Sequence, residues 1–361
     1  MARSIGGPIG GWLAGGVGWR WCFVVQFPVA MIGLGLVLWK LPEPKHDRSK
    51  DIQASDSADS NLARVDFAGA ITLVGTVLTG LLSLDLATKG SPILVTVPLI
   101  GAFVAFLLLF VLVEKYLAKE PILPLDLISK RDVLTSYSIV GFQSAGQFGL
   151  LYAIPIYFQV IGRESISSTG TRIVPVVIGN ALGTILSGSL ITRSKRYKYL
   201  TIFGNLVGFT GFLLILLRWH GTPNWFESLF VCLPGIGMGV IQSATFIHLA
   251  ASLRHSEISI AGTAWFVAQN VGILVGASFS TTLINRVLQS RLQTLLATHE
   301  NKYEIIKNAT SNIEYVQTLP DAMWALVSKA YADALLCSNA LSMALVAIAL
   351  VVTISMREKP L

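Results

Sequence analysis

Long apolar runs separated by short polar stretches dominate this chain of 361 residues. The runs fall at approximately 3–18, 21–41, 67–87, 93–114, 133–160, 169–192, 199–218, 226–251, 260–287 and 331–356. A hydrocarbon core about 30 Å thick takes roughly 17 to 25 apolar residues per crossing helix. The pattern therefore predicts an all-α, polytopic membrane helix bundle with about ten transmembrane helices. The first run is short and starts abruptly after Arg3. Residues 42–65, rich in Pro, Ser, Asp, Lys and Arg, have the composition of a solvated linker, and Asp66 ends them as a helix N-cap. The third and fourth runs, 66–114, form a hairpin turned by Thr88-Lys89-Gly90-Ser91-Pro92. A loop over 115–132 leads to the six runs of 133–361, in which residues 288–330 read as one long loop.

Composition agrees with a membrane as the solvent. Hydrophobic residues make up 53% of the chain and charged residues 13%, against roughly 45–50% and 25% in soluble domains. The net charge of +7 resides in short loops between apolar runs, which points to membrane orientation and away from nucleic acid. With Met1 in the cytosol and every run crossing, 17 of the 27 Lys and Arg residues fall on the cytoplasmic side. Opposite them, the short loops hold Arg20, Lys89, Arg163, Arg172 and Arg218. That asymmetry follows the positive-inside rule. The 288–330 loop then lies on the luminal side with the sequon Asn308-Ala309-Thr310, a possible glycosylation site. Cys22, Cys232 and Cys337 have neither metal-ligand nor disulfide-framework spacing, so no metal is expected. The absence of a Gly-x-x-x-x-Gly-Lys loop, a His-Glu-x-x-His pair or a serine elbow argues against an enzyme.

The stretch from Gly6 to Gly18 carries seven glycines and one proline, a composition suited to backbone-to-backbone packing in a membrane. Gly18-Trp19-Arg20-Trp21 follows, an interfacial turn before the next run. Gly7-Pro8-Ile9-Gly10-Gly11 resembles the antiporter motif, Gly-Pro-x-x-Gly-Gly, in the fifth helix of major facilitator superfamily transporters, one residue shorter. With Gln26 and Pro28 after it, the turn is similar to that of the fungal fourteen-helix drug:proton antiporters, in the branch of vacuolar basic amino acid transporters. The resemblance implies a major facilitator fold lacking about four N-terminal helices. Residues 1–41 would be the last two helices of the N-terminal half, 42–65 a cytoplasmic linker and 66–114 the family's additional hairpin. Residues 115–132 would be a cytoplasmic loop and 133–361 the C-terminal six-helix half. It further implies a monomeric, multi-pass protein of the vacuolar or plasma membrane. Its expected partners are the lipid bilayer and a small-molecule substrate, with no nucleic acid and no cofactor beyond a proton gradient. The implied activity is proton-coupled transport of basic amino acids across the vacuolar membrane. Multidrug or toxin antiport and a non-transporting fragment are the alternatives.

Polar residues inside the runs are the candidate chemistry, because hydrocarbon penalises them unless they face other helices or a cavity. Gln143 and Gln147 stand four apart on one helix face; Asn180, Thr184 and Ser187 follow a similar helical spacing. Gln242 with Thr245, and Gln269 with Asn270, mark two later runs. Interhelical hydrogen bonding is the plainer reading for each alone; together they favour a polar cavity. In the superfamily these four helices line the central pathway, which places Tyr152, Tyr157 and Gln159 near its luminal mouth. The basic stretch from Gly188 to Lys198 resembles the superfamily's cytoplasmic loop motif, Gly-x-x-x-Asp-Arg-x-Gly-Arg-Arg. Gly188, Arg193 and Arg196 match it, while Thr192 and Lys195 replace the aspartate and a glycine. Asp85 reads as an interfacial carboxylate, His248 as a satisfied helix-end histidine, and Arg172 as a snorkelling helix-start arginine. A basic amino acid or cationic drug needs a desolvated carboxylate or an aromatic cage as partner, and these runs offer no central Asp or Glu. By the resemblance, proton-coupling acids belong to the helices expected before Met1.

Overall fold

The computed structural model describes residues 16, 18–40, 66–88, 91–117, 125–219, 221, 226–297 and 302–359. Among these the chain is helical, with no strand. Four helices precede the main bundle: α1 (Trp19–Val24), α2 (Gln26–Lys40), α3 (Phe67–Thr88) and α4 (Ile93–Tyr116). After the short α5 (Leu125–Ile128) come α6 (Arg131–Val160), α7 (Ile166–Thr171), α8 (Val174–Ser194), α9 (Lys198–Arg218) and α10 (Cys232–Ser252). The last four are α11 (His255–Leu295), α12 (Lys302–Ser311), α13 (Ile313–Gln317) and α14 (Asp321–Ile354). Nine segments among the described residues are long and apolar enough to cross a membrane, and they coincide with the second to tenth predicted runs. The first run, apart from Gly16 and Gly18, lies outside the described residues, as do Gly7, Pro8, Gly10, Gly11 and the 42–65 linker.

Small residues decide how closely these helices approach. Lipid tails are as apolar as the helix surfaces, so association in the bilayer depends on close contact more than on apolar burial. Along the α8–α10 seam two glycine pairs at i, i+4 face each other. A Cβ at Gly179 or Gly183 would strike the backbone oxygen of Cys232 or Ile236, and one at Gly235 or Gly239 that of Val176 or Asn180. The α6–α11 seam repeats the device, with Gly272 on Gly141 and Gly276 on Ala145. Outside this bundle, α4 seats Phe106 and Phe103 at Gly75 and Gly80 of α3, and α3 packs against α11.

The stretch 288–330, expected as a loop, is largely helical. Leu288, Leu292 and Leu296 recur every four residues and are fully buried, so one apolar stripe carries α11 past the predicted end of its run at 287. Beyond it, α12 and α13 form a cap on the end of the bundle, with Ala309 and Val316 in the same core. Tyr331 Oη donates to Ala309 O (2.7 Å), Gln317 Nε2 to Gln159 O (2.9 Å) and Trp324 Nε1 to Val160 O (3.0 Å). Arg163 pairs with Asp321 at 2.9 Å. Asn308 of the sequon is half-buried within α12, where Thr310 Oγ1 donates back to Ile306 O (2.8 Å). Arg172, expected to snorkel, has partners within the protein. It forms an ion pair with Glu164 (2.6 Å), donates to Ser228 Oγ (3.0 Å) and lies over the Phe158 ring. A carboxylate eight residues away gives the guanidinium a partner that open interface would not.

At the opposite end, the basic stretch from Gly188 is less of a loop than expected. Gly188 and Arg193 belong to α8; Arg196 lies in the three-residue link 195–197, exposed. Lys195 caps α8 with φ at 56°, the left-handed conformation that glycine adopts without steric cost, and it occupies a glycine position of the motif. Tyr197 is buried under the segment that follows α14. Its hydroxyl accepts from Lys359 N (2.6 Å), while Lys359 Nζ pairs with Asp132 (2.6 Å). Burial pushes the Tyr197 phenol above its ordinary pKa, so the hydroxyl stays neutral at physiological pH. Ser136 Oγ and His248 Nδ1 stand 2.7 Å apart, and Lys130 pairs with Glu257 at 3.1 Å. These contacts join the ends of α6, α10, α11 and the segment after α14.

Candidate functional site

Helices α6, α8, α10 and α11 line a half-open cavity of about 760 Å³. Each contributes one amide side chain to its wall: Gln147, Asn180, Gln242 and Gln269. The helical repeat and the two glycine seams together produce this convergence. The α6–α11 contact at Gly141 and Gly272 sets Gln147 and Gln269 on a common wall, and the α8–α10 contact at Asn180 and Gly239 does the same for Asn180 and Gln242. Phe148, Phe246, Trp265 and Phe266 supply an aromatic wall. Within it, Phe246 and Phe266 each meet Trp265 edge to face, at centroid distances of 5.6 and 5.1 Å. Among the described residues no acid or base lines the cavity. Its chemistry consists of neutral hydrogen-bonding groups beside aromatic faces, a combination that holds small organic solutes by shape and by a few directed contacts. Among the described residues no cluster of His, Cys, Asp or Glu could hold a metal ion.

Other expected site residues fall elsewhere. Gln143 is fully buried at α9 beside Gly208, behind the cavity wall. Thr245 is buried and donates to Ile241 O (2.7 Å), and the exposed Thr184 donates to Asn180 O (2.8 Å). Asn270 follows Gln269 by one residue, about 100° around the helix. It is exposed, with Nδ2 donating to Phe266 O (2.8 Å). Tyr152 is exposed and off the cavity wall. Tyr157 is core: its ring stacks on Trp219 with centroids 4.6 Å apart, and its hydroxyl donates to Gly221 O. Gly188 does line the cavity, whereas Arg193 and Arg196 do not. The aromatic wall was absent from the sequence expectations, although Trp265 precedes Gln269 by four residues and so shares its face.

The sequence pattern of the Major Facilitator Superfamily matches residues 1–277. The chain belongs to the Major Facilitator Superfamily. Its superfamily relatives include the vacuolar membrane amino acid uptake transporter fnx2 of Schizosaccharomyces pombe, 29% identical over 89% of this chain and 54% of the relative. The multidrug resistance protein fnx1 of the same organism is 29% identical over 92% of this chain and 62% of its own length. Vacuolar basic amino acid transporter 2 of Saccharomyces cerevisiae is 27% identical over 97% and 75%. This chain thus spans little more than half the length of the two S. pombe proteins. Among solved structures, a bacterial homolog to the human lysosomal transporter Spinster, in an inward-facing and occupied conformation, superposes with a TM-score of 0.50. That match, at 14% identity over 72% of this chain and 56% of the other, supports the major facilitator fold. Membership and the apolar helices make this a multi-pass integral membrane protein.

Proposed function

We propose that this chain forms one wall of the solute pathway in a proton-coupled transporter, with basic amino acids moved across the vacuolar membrane as the substrate class. The observation that carries this reading is the convergence of one amide from each of four helices on an uncharged cavity with an aromatic side. Amides pair with either end of an amino acid, and aromatic faces attract a desolvated cation. The similarity to vacuolar amino acid transporters supports the same substrate class. A second reading, multidrug antiport, draws on the aromatic wall and on the similarity to fnx1. Among the described residues no acid lines the cavity, and we assign the proton-coupling carboxylate to the other half of the pathway, in keeping with two halves that rock about a shared site.

The test is accumulation of labelled lysine and arginine by acidified vesicles containing the protein, with and without a protonophore. Accumulation that the protonophore abolishes supports the amino acid reading. Accumulation of a lipophilic cation in its place supports the second, and accumulation of neither overturns both. In the proposed orientation the 195–197 link is cytosolic and the α12–α13 cap luminal. Cysteines replacing Lys195 and Tyr303, both exposed, are therefore expected to react with an impermeant maleimide from opposite faces of the membrane. Reaction from one face would overturn the topology.

A further inference from the structure

The segment that follows α14, residues 355–359, runs without regular structure beyond Ser355 and leaves Ser355, Arg357 and Glu358 exposed. Met356 is its anchor. It is 1% exposed and shares one apolar cluster with Ile139 of α6, Ile191 of α8, Tyr197 of the link, and Ile241 and Ala244 of α10. Lys359 is its clasp, pairing with Asp132 in the first turn of α6 (2.6 Å) while its backbone N–H donates to the Tyr197 hydroxyl (2.6 Å). Arg131 adds a contact from Nη2 to Ser355 O (3.5 Å). The segment thus ties together three of the four helices that line the cavity. It also reaches the cavity itself, because Ile247 packs against the Met356 cluster and lines the cavity as well. The backbone-to-backbone seam of α8 and α10 does not extend this far. It lies at Gly179, Gly183, Gly235 and Gly239, and by Gly188 nothing stands within 4 Å of a notional Cβ. Beyond the seam, side chains gathered around Met356 hold the two helices. One buried side chain and one partly exposed ion pair make an attachment that can open locally while the helices stay folded. From this arrangement, and resting on the solute-pathway reading above, we infer that residues 355–359 are a strap that locks the cytosolic side of the cavity. Seated, the strap holds α8 and α10 together past their seam; released, it lets those ends part and admits water and solute from the cytosol.

The test uses the full chain with Cys22, Cys232 and Cys337 replaced by alanine and Ile247→Cys as its one thiol. An impermeant maleimide is added to sealed vesicles on the face where Lys195→Cys reacts, and the labelling rate at position 247 reads access to the cavity. Amide hydrogen exchange over 191–197, measured in nanodiscs, reads whether the strap is seated. Lys359→Glu sets two carboxylates face to face and is expected to raise both rates about 10-fold. Met356→Ala, which removes the anchor, is expected to raise both as well. Asp132→Lys combined with Lys359→Glu restores an ion pair of opposite sense and is expected to return both rates to within about 3-fold of the unswapped chain. A folding defect would not be reversed by a second charge change. Faster exchange without faster labelling, no change in either rate, or a gain that persists in the double variant overturns the strap. Neither readout needs a substrate. Failure of uptake with a responsive strap therefore overturns the transport reading alone, and normal uptake with an indifferent Lys359→Glu overturns the strap alone.

Discussion

Leucine in place of Gly183 is expected to destabilise the helical bundle by about 3 kcal/mol or more, measured as a lower unfolding temperature of the purified protein in detergent. Overpacking a core with extra methylenes typically costs about 1–3 kcal/mol, and the upper end applies where neighbours cannot yield. Here the neighbour is backbone: a Cβ at Gly183 meets the oxygen, carbon and Cα of Ile236. A helix cannot rotate a carbonyl aside as a side chain rotates a methyl, so α8 and α10 must separate. Separation would also break the cavity, since Asn180 and Gln242 reach it from those two helices. Gly188→Leu is the control. It lies on the same helix with nothing within 4 Å of its notional Cβ, and is expected to change stability by about 0.5 kcal/mol at most. Gly239→Leu should match Gly183→Leu, and the double substitution should fall short of the sum because both act on one seam. Equal unfolding temperatures for Gly183→Leu and Gly188→Leu would contradict the seam.

Trp219→Ala is expected to cost about 3–5 kcal/mol, the range for deleting a large buried aromatic. Trp219 is almost fully buried, stacks on Tyr157 and meets Phe158 edge to face at 5.4 Å. It therefore locks the start of the α9–α10 connection to the middle of the cap-side core. Tyr157→Phe keeps the stack and removes the hydroxyl contact with Gly221, so its expected cost is about 1 kcal/mol. These two variants also separate core from pathway. Tyr157→Phe should leave lysine binding unchanged after correction for stability, whereas a pathway tyrosine would show a loss of affinity larger than its loss of stability.

The helical content and the order of crossings were legible because membrane helices require long apolar runs, and nine such runs meet their helices within a few residues at most ends. Ends that lie outside hydrocarbon were harder. The predicted end at 287 missed that Leu288, Leu292 and Leu296 continue one stripe, since Gln289, Ser290, Arg291, Gln293 and Thr294 between them resemble a loop when hydropathy is averaged. Site residues divide in the same way. Gln147, Asn180, Gln242 and Gln269 were identifiable as polar groups on helices, yet nothing local distinguished Gln147 from Gln143, which faces α9. That choice depends on which side of α6 its neighbours occupy, a property of packing. Thr245 and Asn270 were drawn in by proximity to true wall residues, and Trp265 was overlooked because an aromatic in a membrane helix looks like ordinary apolar bulk.

Helix α11 has 41 residues, about 60 Å at 1.5 Å per residue and roughly twice the hydrocarbon thickness. Gln269 lies about a third of the way along it, and Leu295 lies roughly 26 residues, about 39 Å, farther along. The helix thus joins the solute cavity to the α12–α13 cap through one arm, packed along Leu288, Leu292 and Leu296. A tilt of about 5° at the cavity would carry the tip of that arm roughly 3 Å. By the same geometry, a load applied to the cap becomes torque on the helix that bears Trp265 and Gln269.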